Sequence, residues 1–202
     1  MPSSPASPSS FLNLPIELRY NIYDYLSPKE GLHYPCPSSP ITTLSCKAPP
    51  RQLLLTCHQI CDEIQTYYYR RVTLEFIFPR NTPINREDLK PGTLAAVRRA
   101  RRVELVLKLI KSVDPCWAAN GWVGELARLL KDEGLDLELV IISITCSRAI
   151  WEEASEFLKS LLAPLRILRG RVQFEIGNII AFGHVEDAIR KRTQLCVRNL
   201  NN

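Results

Sequence analysis

The chain has few of the residues and motifs from which most active sites are built. It contains three histidines in 202 residues, and no segment matches a glycine-rich phosphate loop, a Gly-x-Ser-x-Gly turn or a His-Glu-x-x-His zinc motif. Acidic pairs at 62–63, 87–88, 132–133 and 152–153 occur where solvated helix or loop positions are expected. The sequence therefore predicts a protein that is not an enzyme and that uses no cofactor.

Long apolar runs and an export signal are also missing. The longest mainly apolar run, residues 139–144, is the length of a strand, whereas a membrane span needs about 20 residues. The first ten residues are rich in Pro and Ser, carry no positive charge, and indicate a disordered tail. Seven cysteines without an export signal favour a reducing compartment. We therefore expect a soluble cytoplasmic or nuclear protein with free thiols and no membrane partner.

A zinc site is the first alternative to consider for Cys57, His58 and Cys61. Helical spacing instead places Cys57 and Cys61 on the apolar stripe of one helix, and no second ligand pair has matching spacing. The pattern favours core packing and predicts no bound metal. Cys36 and Cys46 lie on either side of a Pro/Ser-rich loop, and the pattern leaves open a metal or redox role for them.

Positive charge is in mild excess, with a formal net charge of +5. Cations are densest at Arg98, Arg99, Arg101 and Arg102, and others follow at Arg166, Arg169, Arg171 and residues 190–192. Such clusters can bind a nucleic-acid backbone. The aromatic residues that single-strand binders use for stacking are missing around the cluster, so the sequence favours a solvated face of an ordered turn.

An amphipathic helix is predicted in residues 11–26. Leu14, Leu18, Ile22 and Leu26 recur at every fourth position and would form one apolar stripe. Pro15 suits the first turn of a helix, with Asn13 or Leu14 as the cap. A single stripe of this kind can face either the core or the groove of a partner.

These residues resemble a known family. Leu14-Pro15, Glu17-Leu18, Ile22 and Tyr25-Leu26 resemble the opening of an F-box, and residues 53–63 resemble the second conserved segment of F-box-like proteins abundant in filamentous fungi. The resemblance covers roughly the first 78 residues. It implies an adaptor that docks onto the Skp-type linker subunit of a cullin ubiquitin ligase while the rest of the chain captures a client.

The resemblance also assigns candidate partner-binding residues. They are Leu14, Pro15, Leu18, Ile22 and Leu26. We expect Leu18 and Ile22 to pack partly on the next helix, leaving Leu14 and Pro15 at the docking surface.

The rest of the chain predicts an α/β body behind the helical front. Six prolines make residues 27–51 a long surface loop, and the helical period returns over residues 53–68. Strands with alternating apolar residues begin near 72, 103, 137 and 172, with helices between them and a short helix at the end. This spacing predicts a mixed α/β fold with about four strands in a largely parallel open sheet.

The predicted organisation is a tail at 1–10, an F-box-like segment at 11–71 and an α/β body at 72–202. Three functions remain open at this stage. They are a ligase adaptor, a nucleic-acid-associated protein using the arginine cluster, and an interaction domain without a ligase connection.

Overall fold

The structure, a computed structural model, describes residues 11–26, 32–33, 41–45, 49, 51–78, 84, 87, 89–109, 115–146, 151–181 and 185–202. The α-helices among these residues are α1 (Ile16–Leu26), α2 (Arg51–Leu54), α3 (His58–Arg71), α4 (Pro91–Arg99), α5 (Pro115–Glu133), α6 (Trp151–Leu162) and α7 (Val185–Asn201). Short 3₁₀ helices precede α1 at Phe11–Asn13 and follow α6 at Ala163–Leu168. No helix in the described ranges is long and apolar enough to cross a membrane.

One sheet runs through the molecule. Its strands, within the described residues, are β1 (Leu32–His33), β2 (Ile41–Leu44), β3 (Thr73–Phe78), β4 (Arg102–Leu109), β5 (Leu139–Cys146) and β6 (Gln173–Ile180). They lie side by side in chain order. The first three pair antiparallel, and β3 to β6 pair parallel. The predicted α/β fold with an open, largely parallel sheet is confirmed.

Helices α3 to α7 lie in one layer against the sheet. Because parallel strands in chain order are joined by right-handed crossovers, every connecting helix falls on the same face. In agreement, each helix from α3 to α7 contacts the next one along the chain. The core between the layers is formed by alternate strand residues, including Leu74, Phe76, Leu105, Ile142 and Phe174. No helix among the described elements covers the opposite face, which we call the open face.

The sequence predicted a long surface loop at residues 27–51. The structure instead places the strands β1 and β2 within this range. Ile41 and Leu44 of β2 are buried, and β2 pairs with β3. Proline flanks this strand on both sides but does not interrupt its four residues, so the ladder to β3 can form. The predicted tail at residues 1–10 lies outside the described residues.

Two helices also differ from prediction. The helix predicted over residues 53–68 is divided, because Thr56 donates its hydroxyl hydrogen bond to Leu53 O and Cys57 is fully extended before α3 begins. The terminal helix was predicted to be short and instead has 17 residues. Its apolar spacing continues through Val197 and Leu200, both of which are buried.

Gly177 allows β6 to approach β5 at an irregularity in their register. The pairing shifts between Ile142 and Ile144, and Asn178 N donates a 2.9 Å hydrogen bond to Ser143 Oγ there. A Cβ on Gly177 would overlap Ser143 Oγ and lie 2.7 Å from Ile141 Cγ2. The absence of a side chain is therefore required at this position.

We expect Gly177→Ala to lower the free energy of unfolding by about 1–3 kcal/mol, as for other overpacked sites. Chemical denaturation checks this value. Gly121→Ala is the matched control, because a Cβ there meets nothing within 4 Å and lies in a helix, where alanine is favoured over glycine by roughly 0.5–1 kcal/mol. Equal stability of Gly177→Ala and the native protein would show that β6 does not approach β5 this closely.

Candidate functional site

Helix α1 begins one residue after Pro15. The carbonyl of Pro15 accepts hydrogen bonds from the backbone N–H groups of Leu18 and Arg19, at 3.1 and 3.2 Å. The missing N–H of proline is harmless here, and Glu17 lies near the positive end of the helix dipole. The helix thus starts one or two residues after the position that a cap at Leu14 or Asn13 predicts, and Pro15 lies just before its first turn.

The side of α1 that faces the protein is polar and aromatic. Arg19 is buried and forms a two-pronged ion pair with Glu63 of α3, with Nε to Oε1 at 2.8 Å and Nη2 to Oε2 at 3.1 Å. Its remaining nitrogen, Nη1, donates to the carbonyls of Leu12 and Leu14. One guanidinium therefore joins the 3₁₀ turn, α1 and α3.

Aromatic rings complete this contact. Tyr20 stacks on Tyr67 of α3 with 4.3 Å between ring centroids, and Tyr23 lies 6.2 Å from the same ring. At the end of α1, Asp24 accepts two hydrogen bonds from Arg71 Nη1, at 2.5 and 2.6 Å. The contact fixes which side of α1 faces outward.

The outward side of α1 carries a row of apolar side chains beside the exposed Glu17 and Asn21. The exposed fractions are 49% for Leu18, 37% for Ile22, 38% for Leu26 and 90% for Tyr25. We call these four residues the α1 stripe. An exposed apolar row opposite a buried ion pair reverses the usual arrangement of a surface helix and is typical of a surface that binds another protein.

Arg19 and Tyr23 make the closest contacts of α1 with α3, through the ion pair to Glu63 and the ring of Tyr67. Leu18 and Ile22 are partly covered and partly exposed, so the expectation that they pack partly on the next helix stays a prediction. Of the other candidate residues, Pro15 is exposed and Leu14 is half-buried. Tyr25, which belongs to the resembling segment but was not among the candidate partner-binding residues, is the most exposed residue of the stripe.

Tyr23 is the largest buried side chain of α1, and its hydroxyl forms no well-directed hydrogen bond among the described residues, although the Arg19 guanidinium lies close enough to act on it. Because a buried unpaired hydroxyl is unfavourable, we expect Tyr23→Phe to leave the free energy of unfolding unchanged or raise it by up to about 1 kcal/mol. Tyr67→Phe is the matched control, since the Tyr67 hydroxyl accepts a hydrogen bond from Arg71. The control should be destabilised, and a loss in Tyr23→Phe instead would reveal a partner for that hydroxyl.

The same tyrosine predicts an alkaline effect. Burial, reinforced by the charge of Glu63, raises the pKa of Tyr23 above its usual value of 10.0. Tyr23 then favours the folded state fully below about pH 10, and this contribution is lost as the pH rises through the folded-state pKa. The stability of Tyr23→Phe should therefore fall less than that of the native protein above pH 10, as measured by denaturation at several pH values.

The arginine cluster is only partly a solvated face. Arg98 Nε lies 2.5 Å from Oε2 of Glu133, whose carboxylate is buried. Arg101 Nη1 lies 2.5 Å from Oε1 of Glu138. Arg98 is exposed, as expected for a solvated face, and it also neutralises the buried charge of Glu133.

The other two arginines of the cluster differ from each other. Arg99 donates to Oε1 of Gln65 and lies 5.9 Å from the ring centroid of Tyr69, whereas Arg102 is exposed at the start of β4. Three of the four guanidiniums in the cluster thus have partners within the chain. This arrangement does not form a continuous row of free cations along which a nucleic-acid backbone could bind.

The cysteine arrangement also differs from prediction. Cys57 is exposed at the N-cap of α3, and Cys61 is half-buried, so Cys57 does not pack in the core as its spacing predicted. In the described part of the chain, no three His, Cys, Asp or Glu side chains are grouped so as to hold a metal. Cys36 and Cys46 lie outside the described residues.

The open face of the sheet is a second candidate surface. On β3 and β4, Glu75 lies opposite Glu104, and Ile77 lies opposite Val106. Ser143 Oγ donates a 2.5 Å hydrogen bond to Oε1 of Glu104. The face thus combines carboxylates with apolar side chains and is not covered by a described helix.

Comparison of the chain with family models, curated proteins and solved structures found no match.

Proposed function

We propose that this protein is a non-catalytic adaptor of the cytoplasm or nucleus. Its α1 stripe docks onto a Skp-type linker subunit of a cullin ubiquitin ligase, and its α/β body receives a client protein. The single observation that carries the proposal is the orientation of α1. The helix turns Arg19 and Tyr23 inward and Leu18, Ile22, Tyr25 and Leu26 outward.

The inner contact supports docking because it holds α1 without using the apolar stripe. The Arg19–Glu63 ion pair and the stacked Tyr20 and Tyr67 rings fix the rotation of the helix about its axis. A partner would then meet a preformed row of apolar side chains, which reduces the entropy lost on binding. An apolar helix face received in a hydrophobic groove is a common mode of protein recognition.

The open face gives such an adaptor a separate surface for its client. It lies on the body at β3 to β6, whereas the α1 stripe lies on the helical front packed against α3. Two separate surfaces would let the linker and the client bind at the same time.

Co-elution with a purified Skp-type linker subunit tests the proposal. The folded wild-type chain should migrate with the linker as a one-to-one complex in size-exclusion chromatography. The complex should also form with Arg101→Gln, which changes a charge remote from the α1 stripe. Separate elution of the two proteins, with the chain shown to be folded by circular dichroism, would refute the ligase assignment.

A further inference from the structure

A groove at the end of the molecule remote from α1 has the chemistry of a ligand site. It lies between α6, the 3₁₀ turn that follows it, and α7, and has a volume of about 240 Å³. Leu162 and Leu200 contribute apolar lining, and Leu195, which is 59% exposed, stands at its rim. The groove offers an apolar surface that water reaches.

Three cations surround this groove. Lys159 comes from α6, Arg166 from the 3₁₀ turn and Arg192 from α7, and all three are exposed. No described residue forms an ion pair with any of them, and none of the described lining residues is acidic. The described lining of the groove therefore carries positive charge only.

The three cations all act electrostatically on the thiol of Cys196. Burial raises the pKa of the Cys196 thiol, which lines the groove, and Lys159, Arg166 and Arg192 each partly offset that rise. On the other side of Leu195, Lys191 and Arg198 line an adjoining depression. Positive charge thus continues around the exposed leucine.

The walls of the groove are firmly placed. The side chain of Asn201 on α7 pairs with the backbone of Phe174 on β6, donating to its oxygen at 3.0 Å and accepting from its nitrogen at 2.9 Å. Helices α6 and α7 also contact each other directly. The three cations are therefore presented by packed elements, which favours binding over a collection of mobile surface charges.

We propose that this groove binds an organic anion that carries a phosphate or carboxylate head and a short alkyl chain. The head would lie among Lys159, Arg166 and Arg192, and the chain would cover the exposed side chain of Leu195. A volume of 240 Å³ equals about eight water molecules at their volume in the liquid, which suits a small amphiphile better than a drug-sized ligand. The proposal is independent of the adaptor function, since the groove shares no residue with the α1 stripe.

Calorimetric titration of the full chain with octyl phosphate, below its micelle concentration, tests the site. We expect saturable one-to-one binding that weakens with rising salt. The double variant Arg166→Gln/Arg192→Gln should bind at least about tenfold more weakly, because each substitution removes a charge-assisted hydrogen bond to the ligand. Arg169→Gln is the matched control, since Arg169 is exposed three positions along and does not line the groove. It should bind within about twofold of the native chain.

Two further comparisons measure how much the head group and the alkyl chain each contribute to binding, and whether the natural ligand is a soluble amphiphile or a membrane lipid. Inorganic phosphate should bind more weakly than octyl phosphate. In Leu195→Ser the affinities for the two ligands should be closer to each other, because the alkyl chain loses its apolar contact. Vesicles of phosphatidylcholine with and without phosphatidic acid identify the source: binding to the acidic vesicles would assign the same site to a lipid headgroup. Binding of soluble octyl phosphate alone would assign it to a free amphiphile.

Alkylation of Cys196 gives a second readout. Octyl phosphate should slow the reaction of Cys196 with iodoacetamide several-fold and leave the reaction of exposed Cys57 unchanged, as measured by peptide mass spectrometry. The proposal is wrong if octyl phosphate shows no saturable binding, if inorganic phosphate binds as tightly, or if the double arginine variant binds as well as the native chain.

Discussion

Leu105→Ala is expected to lower the free energy of unfolding by about 2–5 kcal/mol, the range for truncating a buried leucine. Leu105 is fully buried in β4, between Phe76 of β3 and Ile142 of β5 and beneath the helical layer. Truncation would remove apolar contacts and leave a cavity that close-packed neighbours cannot fill. Urea denaturation of the native chain and the variant measures the difference.

Val106→Ala is the matched control on the next residue of the same strand. Val106 is half-buried on the open face, so its truncation should have a much smaller effect than that of Leu105. The contrast between adjacent residues tests the two-layer arrangement with one uncovered face. Losses of similar size would mean that the open face is packed against another part of the chain.

The strands of the body could be predicted because their pattern is local. Alternating apolar residues at 74, 76 and 78 and at 103, 105, 107 and 109 point to one face whatever the rest of the chain does. The predicted strand starts at 72, 103, 137 and 172 fall within two residues of those observed at Thr73, Arg102, Leu139 and Gln173. By contrast, β2 has only four residues and lies in a proline-rich segment, so its alternation of apolar and polar residues is too short to be recognised in the sequence.

The orientation of α1 could not be predicted, because it depends on contacts distant in sequence. A four-residue apolar spacing indicates a helix with two unlike sides, but it does not tell which side faces the protein. That choice is made by Arg19 with Glu63, which lies 44 residues away, and by Tyr20 with Tyr67. The groove between α6 and α7 likewise joins cations from three segments, with no motif to connect them.

The second large effect is expected at the α1 stripe. Leu18→Ala/Ile22→Ala should weaken binding of the Skp-type linker by about 2 kcal/mol or more, roughly 30-fold, as for the anchor residues of other interfaces. Both side chains are exposed in the isolated chain, so its free energy of unfolding should change by about 0.5 kcal/mol or less at each site. Leu135→Ala, which truncates another exposed leucine, should affect neither property.

The dissociation constant of the full chain with the purified linker subunit tests the adaptor function most directly. It should be measured by calorimetry for the native chain, Leu18→Ala/Ile22→Ala and Leu135→Ala, with melting temperatures in parallel. We expect saturable binding by the native chain and Leu135→Ala, and binding about 30-fold weaker in the stripe variant, with its melting temperature within about 4 °C of the native value. No binding by the folded native chain, or equal affinity in all three proteins, would contradict docking through α1.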